Sequence, residues 1–211
     1  SNVCGLIAPV QEISMLAKKY NAVTVVDASQ ACGVIDVVLN YIDYYIFAGH
    51  KTLLGPFGIA GFICKKNTAL APLLFGGTGL DSANRNMPET VPERFEAGSI
   101  NVMAIAGLNY SLKWILKTGL ANIKKKEDQM FLALKKCLEQ FDIFSFIGMA
   151  ENVSSIISTV VDGYASNEMG RILSVFGISV RTGLHCAPEA HRYLGTFPAG
   201  TVRYSISYFT D

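Results

Sequence analysis

The chain has 211 residues, of which 50% are hydrophobic and 17% are charged, and its 18 basic and 17 acidic residues leave a formal net charge of +1. Disordered chains have few apolar residues and a high net charge, so this composition excludes that class. A balanced charge provides no electrostatic surface for nucleic acid or an anionic membrane, and we expect neither as a partner. No run approaches the ~18 uninterrupted apolar residues of a spanning helix.

Both ends of the chain indicate a piece of a longer protein. The chain opens at Ser1 without Met and without the basic and apolar segments of a signal peptide. It closes at Asp211, directly after an apolar run that is typical of a strand. The length suits one large domain or somewhat more, enough to bury a sizeable core.

The five cysteines predict a reducing compartment. Their number is odd, their spacing is wide and no C-x-x-C pair occurs, so neither a disulfide framework nor a zinc ribbon is expected. Cys4, Cys32, Cys64 and Cys137 lie in apolar or mixed surroundings, and we interpret them as small core residues. The expected location is the cytoplasm.

The first half of the chain predicts one helix and three strands. Apolar residues at helical spacing indicate a helix over 10–20. Apolar, β-branched runs predict buried parallel strands at 22–26 and 44–48, and a third strand at 58–64 is expected to be antiparallel. Residues 65–100 show little periodicity and many Gly, Pro, Asn and Thr residues, which predicts a long irregular segment of the kind that is usually functional.

The second half of the chain alternates helices and strands in a way that is typical of a small α/β domain. The predicted elements are helices at about 104–117 and 119–141, a strand at 153–161, a helix at 166–176, a strand at 177–181, a loop at 182–200 and a strand at 201–209.

One acid and one lysine follow the two predicted parallel strands. Asp27 ends the first strand, and Lys51 comes a few residues after the second. The segment 28–43 is about as long as a crossover between parallel neighbours, and ligands bind beyond the carboxyl ends of such strands. The two side chains can therefore converge on one crevice. The structural alternative makes Asp27 a helix cap and leaves Lys51 in solvent.

The strings around these two residues are Val25-Val26-Asp27-Ala28-Ser29-Gln30 and Ala48-Gly49-His50-Lys51. They resemble the signature of the class V, fold-type I enzymes that use pyridoxal phosphate. In that family the lysine forms the internal Schiff base, the aspartate pairs with the protonated pyridine nitrogen and the glutamine meets the ring hydroxyl. The resemblance implies that Lys51 is catalytic and binds the cofactor with Asp27, Gln30 and His50, the last at the phosphate.

Three further strings extend the resemblance. Gly76-Gly77-Thr78-Gly79 and the segment 94–101 are similar to two family landmarks, and residues 1–5 resemble the loop that carries an asparagine at the cofactor. In relatives the hydroxyl at the position of Ser99 reaches the cofactor phosphate of the partner subunit, which implies a homodimer with shared sites. The resemblance places Asn2 near the substrate carboxylate.

The string Val180-Arg181-Thr182-Gly183-Leu184-His185-Cys186-Ala187-Pro188 closely resembles the cysteine loop of the cysteine desulfurases, in the group that includes selenocysteine lyases. In those enzymes the thiolate attacks the substrate sulfur, the enzyme holds a persulfide, and alanine leaves. The resemblance implies that Cys186 is catalytic. We expect His185, Arg181 and Arg192 to favour the thiolate, because cations stabilise it.

Two alternatives remain for this loop. His185, Cys186 and His191 offer metal-ligating atoms, but two of them are adjacent, which suits a single ion poorly, and no metal is expected. Cys186 is otherwise a structural residue, although a loop with Gly and Pro rarely buries one.

Downstream, the segment 201–205 resembles the strand whose arginine binds the substrate carboxylate, a task suited to the two-pronged donor geometry of Arg203. A surface ion pair is the alternative for that arginine.

The chain departs from the family pattern in several places. Ala48 stands where Ser or Thr usually donates to the cofactor phosphate, a bond worth ~0.5–1.5 kcal/mol. Leu184 replaces a histidine of the typical desulfurase loop. The phosphate-cradling Gly/Thr loop and the residue that stacks on the pyridine ring precede the position of Asn2 in relatives, and the sequence contains neither. We therefore expect weak or no cofactor binding, and no activity, from this chain alone.

These observations predict an α/β fold: the later part of the large domain of a fold-type I pyridoxal-phosphate enzyme at 1–110 and most of its small α/β domain at 111–211. The expected reaction removes sulfur or selenium from cysteine or selenocysteine and leaves alanine and an enzyme persulfide. The expected partners are a second copy of the chain and a sulfur-acceptor protein. The alternatives are a class V aminotransferase, another pyridoxal-phosphate lyase, or a non-catalytic dimerisation or acceptor-docking module.

Overall fold

The structure, a computed structural model, describes residues 1–65, 70–81 and 83–211. The chain divides into two compact units. The first unit is Val10–Lys117, and the second unit combines Ser1–Pro9 with Thr118–Asp211. The assignment of 1–110 and 111–211 to two family domains stays a prediction. No helix in the described ranges is both long and apolar enough to cross a membrane.

The elements of the described residues follow one another in the order helix, three strands, two long helices, and then alternating strands and helices. They are α1 (Val10–Lys19), β1 (Val25–Asp27), β2 (Tyr44–Ala48), β3 (Ala60–Cys64), α2 (Val102–Thr118), α3 (Leu120–Leu138), β4 (Phe144–Phe146), β5 (Ile156–Val161), α4 (Ser166–Val175), β6 (Arg181–Gly183), α5 (Pro188–Tyr193) and β7 (Thr201–Ser205), with short 3-10 helices at Leu39–Tyr41 and Glu93–Phe95.

The first unit contains a three-stranded sheet in the order β1-β2-β3. β1 and β2 are parallel, with Asp27 opposite Ile46, and β3 is antiparallel to β2. Both orientations confirm the prediction, but the expected burial is wrong for β1, in which Val25 is 61% exposed. Because parallel strands end at the same edge of a sheet, Asp27 and the turn after β2 lie at one edge. Ala28, Ile42 and Tyr45 form the buried core beside the sheet.

The amino ends of β1 and β2 are joined by a small polar cluster. The Asp43 carboxylate accepts hydrogen bonds from the Lys18 amine at 2.6 Å and from the Thr24 backbone N–H at 2.9 Å. These bonds, the one from Lys18 first, lower the pKa of Asp43 from its usual 3.8 to about 2. The Thr24 hydroxyl lies 3.0 Å from the same carboxylate. The cluster therefore holds the two strands in register from the end opposite the Asp27 edge.

The second unit contains an antiparallel sheet in the order β4-β5-β7-β6. Ile157 on β5 and Val202 on β7 are fully buried beneath Phe131 of α3 and Met169 of α4. The N-terminal segment belongs to this unit because its backbone pairs there: Ser154 N–H donates to the Gly5 carbonyl at 2.7 Å and Ile7 N–H to the Asn152 carbonyl at 3.0 Å.

Several boundaries differ from the sequence-based prediction. The strand expected at 177–181 is wrong: β6 starts at Arg181, because Gly177 has φ +75° and turns the backbone before an exposed Ile178. The loop expected at 182–200 contains α5, and β4 has no predicted counterpart. The helix expected to reach 141 ends at Leu138, and the last strand ends at Ser205.

The cysteines also differ in part from the core interpretation. Cys4 is buried, as predicted, whereas Cys32 and Cys64 are half-buried and Cys137 is exposed on α3. Cys137 lies on a long amphipathic helix, where a single apolar residue on the solvent face is common. All five cysteines are free thiols.

Gly200 and Gly183 bring two backbone segments together beside β7. A Cβ on Gly200 would lie 2.2 Å from the Gly183 carbonyl carbon, and Gly200 has φ +72°. Only glycine satisfies both conditions. This approach places the end of β6, and the cysteine that follows it, against the start of β7.

We expect Gly200→Ala to destabilise the second unit more than Gly163→Ala does. Gly163 has φ +76° with nothing within 4 Å of its Cβ position, so it is the matched control for the backbone conformation alone. The control should lower the free energy of unfolding by about 1–2 kcal/mol because alanine disfavours that φ. Gly200→Ala should lower it by ~2 kcal/mol more, because the new Cβ clashes with the Gly183 backbone. Urea unfolding measures both, and equal losses would contradict the close approach.

We expect Asp43→Asn to lower the free energy of unfolding of the first unit by about 1–2 kcal/mol at pH 7. The folded pKa of Asp43 lies below its unfolded value, so its contribution is complete above about pH 5 and disappears as the pH falls through about 2. The gap between wild type and variant should therefore close toward pH 2. Asp36→Asn, at an exposed aspartate of the same unit, should leave stability unchanged across this range.

Candidate functional site

Asp27 ends β1 as an exposed, ionised carboxylate. It accepts a hydrogen bond from the Ser29 backbone N–H at 2.9 Å. Hydrogen bonds from the side chain and backbone of Ser29 lower the pKa of Asp27, burial opposes them, and the nearby charge of Lys51 lowers the pKa further. A carboxylate with a lowered pKa keeps its negative charge at neutral pH, so this sheet edge presents an anion to solvent.

Lys51 lies in the tight turn that follows β2. The backbone N–H of Lys51 donates to the Ala48 carbonyl at 3.3 Å, and Gly55 N–H donates to the Gly49 carbonyl at 2.7 Å. Lys51 and His50 are exposed, and the His50 ring stacks on Phe57, with centroids 4.8 Å apart at 27°. The turn therefore presents an amine and an imidazole at the same edge as Asp27.

Phe57 is a site neighbour that the sequence did not single out. It is 83% exposed, and its ring is a lone aromatic in a Gly- and Pro-containing turn. No periodic pattern marks such a residue, because its contact with His50 depends on how the turn closes.

Gln30 and Ser99 complete the predicted set of the first unit. Gln30 is half-buried three residues after β1, and Ser99 is exposed. Ser99 lines an open cavity of about 570 Å³ with Gly77 and Glu96, and Gly98 N–H donates to the Gly77 carbonyl at 2.8 Å. The structure thus brings the two glycine-containing landmarks together. Within the described residues, no hydrogen bond joins Ser99 to Asp27, Gln30 or Lys51.

Cys186 belongs to the second unit, in a loop with an unusual backbone. His185 has φ +50° and Cys186 has φ +61°, and each side-chain-bearing residue in that left-handed region costs about 1–2 kcal/mol. The loop is held by a hydrogen bond from Ala187 N–H to the Leu184 carbonyl at 2.8 Å. The Cys186 thiol is exposed, and this strained geometry aims it outward.

Arg181 is the cation that contacts the thiol. Its Nη2 lies 3.1 Å from Cys186 Sγ. Arg181 opens β6, and the loop turns back so that the side chain reaches a residue five positions later. At this distance the guanidinium donates a hydrogen bond to the sulfur and places a positive charge beside the nucleophilic atom.

The structure corrects the other two expected cations. His185 is only 2% exposed, and burial, followed by the positive charge of Arg203, lowers its pKa to about 4. It is therefore neutral at physiological pH and supplies no positive charge. Arg192 donates to Glu189 at 3.0 Å and lies 3.7 Å from the centre of the Phe197 ring. Arg192 is thus engaged within α5 and the turn after it.

The two predicted substrate-binding residues lie beside this loop. Asn2 donates from Nδ2 to the His185 carbonyl at 2.6 Å, and Arg203 donates from Nη1 to the Asn2 carbonyl at 2.8 Å. Burial and the neighbouring Arg181 lower the pKa of Arg203. Its Nε is buried without a hydrogen-bond partner in the described ranges, and Arg203 forms no ion pair there. The surface ion-pair alternative therefore lacks a partner.

Each unit presents its own set of candidate side chains. The first unit presents the Asp27 carboxylate, the Lys51 amine and the His50 imidazole. Gln30 follows Asp27 closely in sequence, and Ser99 belongs to the same unit. The second unit presents a thiol, an arginine that touches it and an arginine with spare donors. Among the described residues, no group of three or more His, Cys, Asp or Glu side chains could hold a metal ion.

Comparison with known proteins places the whole chain in one family. The Aminotransferase class-V family model matches residues 1–211. The chain is 34% identical over 217 aligned residues to a probable cysteine desulfurase of Methanothermobacter thermautotrophicus, covering 99% of this chain and 54% of that protein. The chain therefore spans about half the length of such relatives.

Solved structures agree with the fold. The apo structure of the cysteine desulfurase from Thermococcus onnurineus matches with a TM-score of 0.89 and 31% identity, over 100% of this chain and 54% of that one. The S-sulfonic acid form of the Escherichia coli cysteine desulfurase CsdA matches with a TM-score of 0.88 and 25% identity, and the match covers 100% of this chain and 53% of that one. These matches confirm the predicted α/β fold and its partial span of fold-type I pyridoxal-phosphate enzymes.

We expect Arg181→Ala to slow alkylation of Cys186 by iodoacetamide at pH 7 by about threefold or more, because the sulfur loses the positive charge that lies beside it. Arg192→Ala is the matched control, since it removes a nearby arginine that does not touch the thiol. Mass spectrometry of the labelled peptides, with exposed Cys137 as internal reference, measures both. An equal effect of the two variants would contradict the specific role of Arg181.

Proposed function

The chain belongs to the class V aminotransferase family, and from this membership we propose that it is part of a pyridoxal-phosphate-dependent cysteine desulfurase. The observation that carries the proposal is an exposed Cys186 thiol 3.1 Å from the Arg181 guanidinium, in a loop hydrogen-bonded to Asn2. An aminotransferase has no use for such a thiol. A sulfur-transfer enzyme requires a nucleophile, and an arginine-assisted thiolate meets that need.

Enzymes of this family depend on pyridoxal phosphate, and the residues of the first unit fit that cofactor. The ionised Asp27 carboxylate suits a protonated pyridine nitrogen, the Lys51 amine suits the aldehyde, and exposed His50 and Ser99 suit the phosphate. Gln30 would meet the ring hydroxyl. When bound, pyridoxal phosphate supplies an electron sink for negative charge at the substrate α-carbon.

The side chains of this chain would supply proton transfer and orientation. Lys51 would hold and move the proton at the substrate α-carbon, a task for which an exposed amine in a tight turn is well placed. Arg203, which keeps an unpartnered buried Nε, would grip the substrate carboxylate through its two-pronged donor geometry. Asn2 would orient the same carboxylate from the adjoining segment.

Cys186 would accept the sulfur. Its thiolate forms a new S–S bond with the substrate sulfur while the bond between that sulfur and the substrate β-carbon breaks. The electron pair of the broken bond stays with the carbon skeleton, which takes up a proton and leaves as alanine. The enzyme retains a persulfide on Cys186. Selenocysteine would react in the same way, with selenium in place of sulfur.

Partners and location follow from the same proposal. A small-molecule amino acid is the substrate, and a sulfur-acceptor protein would discharge the persulfide. A homodimer is supported by a run of exposed apolar side chains directly before the Gly76–Gly79 landmark: Leu73 is 95% exposed, Leu74 76% and Phe75 74%. Five free thiols favour a reducing compartment such as the cytoplasm.

The test uses the protein that carries this chain, loaded with pyridoxal phosphate. We expect Cys186→Ala to lower sulfide release from cysteine at least about 100-fold while the absorbance of the bound cofactor is unchanged. Lys51→Ala should abolish that absorbance. Cys137→Ala, at another exposed cysteine of the same unit, is the control and should keep full sulfide release.

Each alternative predicts a different result. Sulfide release that persists in Cys186→Ala would indicate a different lyase. Transamination that survives Cys186→Ala without sulfide release from wild type would indicate an aminotransferase. A wild-type protein whose spectrum does not respond to the cofactor would indicate a non-catalytic module.

A further inference from the structure

Two histidines are buried together behind the cysteine loop. His191 on α5 is 0% exposed and His185 in the loop is 2% exposed. Their ring centroids lie 5.4 Å apart at 49°. Neither ring faces solvent, so neither takes part directly in the site chemistry described above. Burial of a polar ring is costly unless the ring is hydrogen-bonded, and each of these rings makes one hydrogen bond to a threonine hydroxyl.

Hydrogen bonding favours one tautomer of His185. The Val3 carbonyl can only accept, so the Ser158 hydroxyl that contacts it is a donor. The Thr201 hydroxyl donates to Ser158 over a long 3.4 Å contact, which leaves its oxygen as an acceptor for His185 Nε2 at 2.9 Å. This pattern favours a proton on Nε2 of His185. Its Nδ1 is a bare, buried nitrogen with no partner in the part of the chain that is described.

His191 ties α5 to the turn that follows it. Its Nδ1 lies 2.7 Å from the Thr196 hydroxyl, and its backbone carbonyl accepts from Thr196 N–H at 2.9 Å. The Leu184 carbonyl, which belongs to the cysteine loop, acts on the His191 ring and raises its pKa against the larger lowering by burial. Its Nε2 has no hydrogen-bond partner among the described residues, so the ring is placed by the Thr196 hydroxyl on one side and by the His185 ring on the other.

The surroundings of the pair favour neutral rings, because burial lowers the pKa of both His185 and His191. Arg181 and Arg203 are the cations that act on His185, and His191 is its other titratable neighbour. A third positive charge in this buried space would repel both arginines. A neutral imidazole suits the position because it hydrogen-bonds to Thr196 without adding charge, whereas a phenyl ring would fill the space and leave that hydroxyl only the backbone carbonyl of residue 191, at 3.5 Å.

We propose that His191 is a positioning residue for Cys186. Its ring packs against the His185 ring and, with the Thr196 hydroxyl behind it, holds His185 and Cys186 in the left-handed conformation that places the Cys186 thiol against Arg181. The inference rests on the proposed function only for the role of Cys186 as sulfur acceptor. The placement of the thiol itself is a property of the chain without cofactor or substrate.

The test is competitive alkylation of the full chain by iodoacetamide at pH 7, read by peptide mass spectrometry. Cys137 is the exposed reference, and Cys4, buried in the same unit, reports any unfolding. We expect His191→Phe to lower the Cys186-to-Cys137 labelling ratio by about threefold or more, because the thiol leaves its arginine. Cys4 should remain protected. His191→Asn, which restores a polar group toward Thr196, should recover most of the ratio.

Tyr193 provides the matched control, because it is 92% exposed on the same helix. Tyr193→Phe should leave the ratio unchanged. A merely structural role for His191 would lower the melting temperature of His191→Phe but leave the ratio intact, and that result would overturn the proposal. If Cys4 becomes labelled in His191→Phe, that variant has unfolded and Thr196→Val is used in its place. Thr196→Val removes the hydroxyl and keeps both histidine rings. A ratio that Thr196→Val leaves unchanged would likewise overturn the proposal.

The outcomes separate this inference from the proposed function. If the protein that carries this chain, loaded with pyridoxal phosphate, releases no sulfide from cysteine but shows the lowered ratio in His191→Phe and its recovery in His191→Asn, the desulfurase is rejected and the positioning role is supported. A protein that releases sulfide while both variants keep the wild-type ratio would support the desulfurase and reject the positioning role.

Discussion

The geometry of the second unit depends on the hydrogen bonds of Asn2. Its side-chain amide donates to the His185 carbonyl, and its own carbonyl accepts from Arg203. One residue at the start of the chain therefore joins the cysteine loop to the central strand β7. Because a loop with two left-handed residues is strained, such long-range bonds are needed to hold it. The junction fixes the His185 backbone and Arg203, whereas Arg181 is placed by the pairing of β6 with β7.

The two units keep their reactive groups available by different physical means. The first unit uses topology: two parallel strands end at one edge, so Asp27 and the Lys51 turn are both exposed with little strain. The second unit uses burial: hydroxyls and neutral imidazoles behind the loop hold an exposed thiol near two arginines. In the first unit the site charge is negative at Asp27, and in the second it is positive.

Much of the first unit could be predicted, and less of the second. Short apolar runs identify β1 and β2, and an acid and a lysine after them follow from the rule on parallel strand ends. The family strings name Gln30, Ser99, Cys186 and Arg203, whose roles stay predictions. The sequence could not show which of three candidate cations contacts Cys186. Adjacency in sequence favours His185. The folded loop instead buries the His185 ring and turns Arg181 toward the sulfur.

The sequence by itself determined the α/β class, the parallel pair of strands and the family, since these depend on local periodicity and on short strings of residues. Only the tertiary structure decided that residues 1–9 belong with the C-terminal half, that α5 lies within the expected loop, and that His185 is neutral. Each of these depends on contacts between residues far apart in the chain: Asn2 with Arg203, Gly183 with Gly200, and Ser158 with Thr201. The free energy of such contacts exists only once the backbone has closed, so no local pattern encodes it.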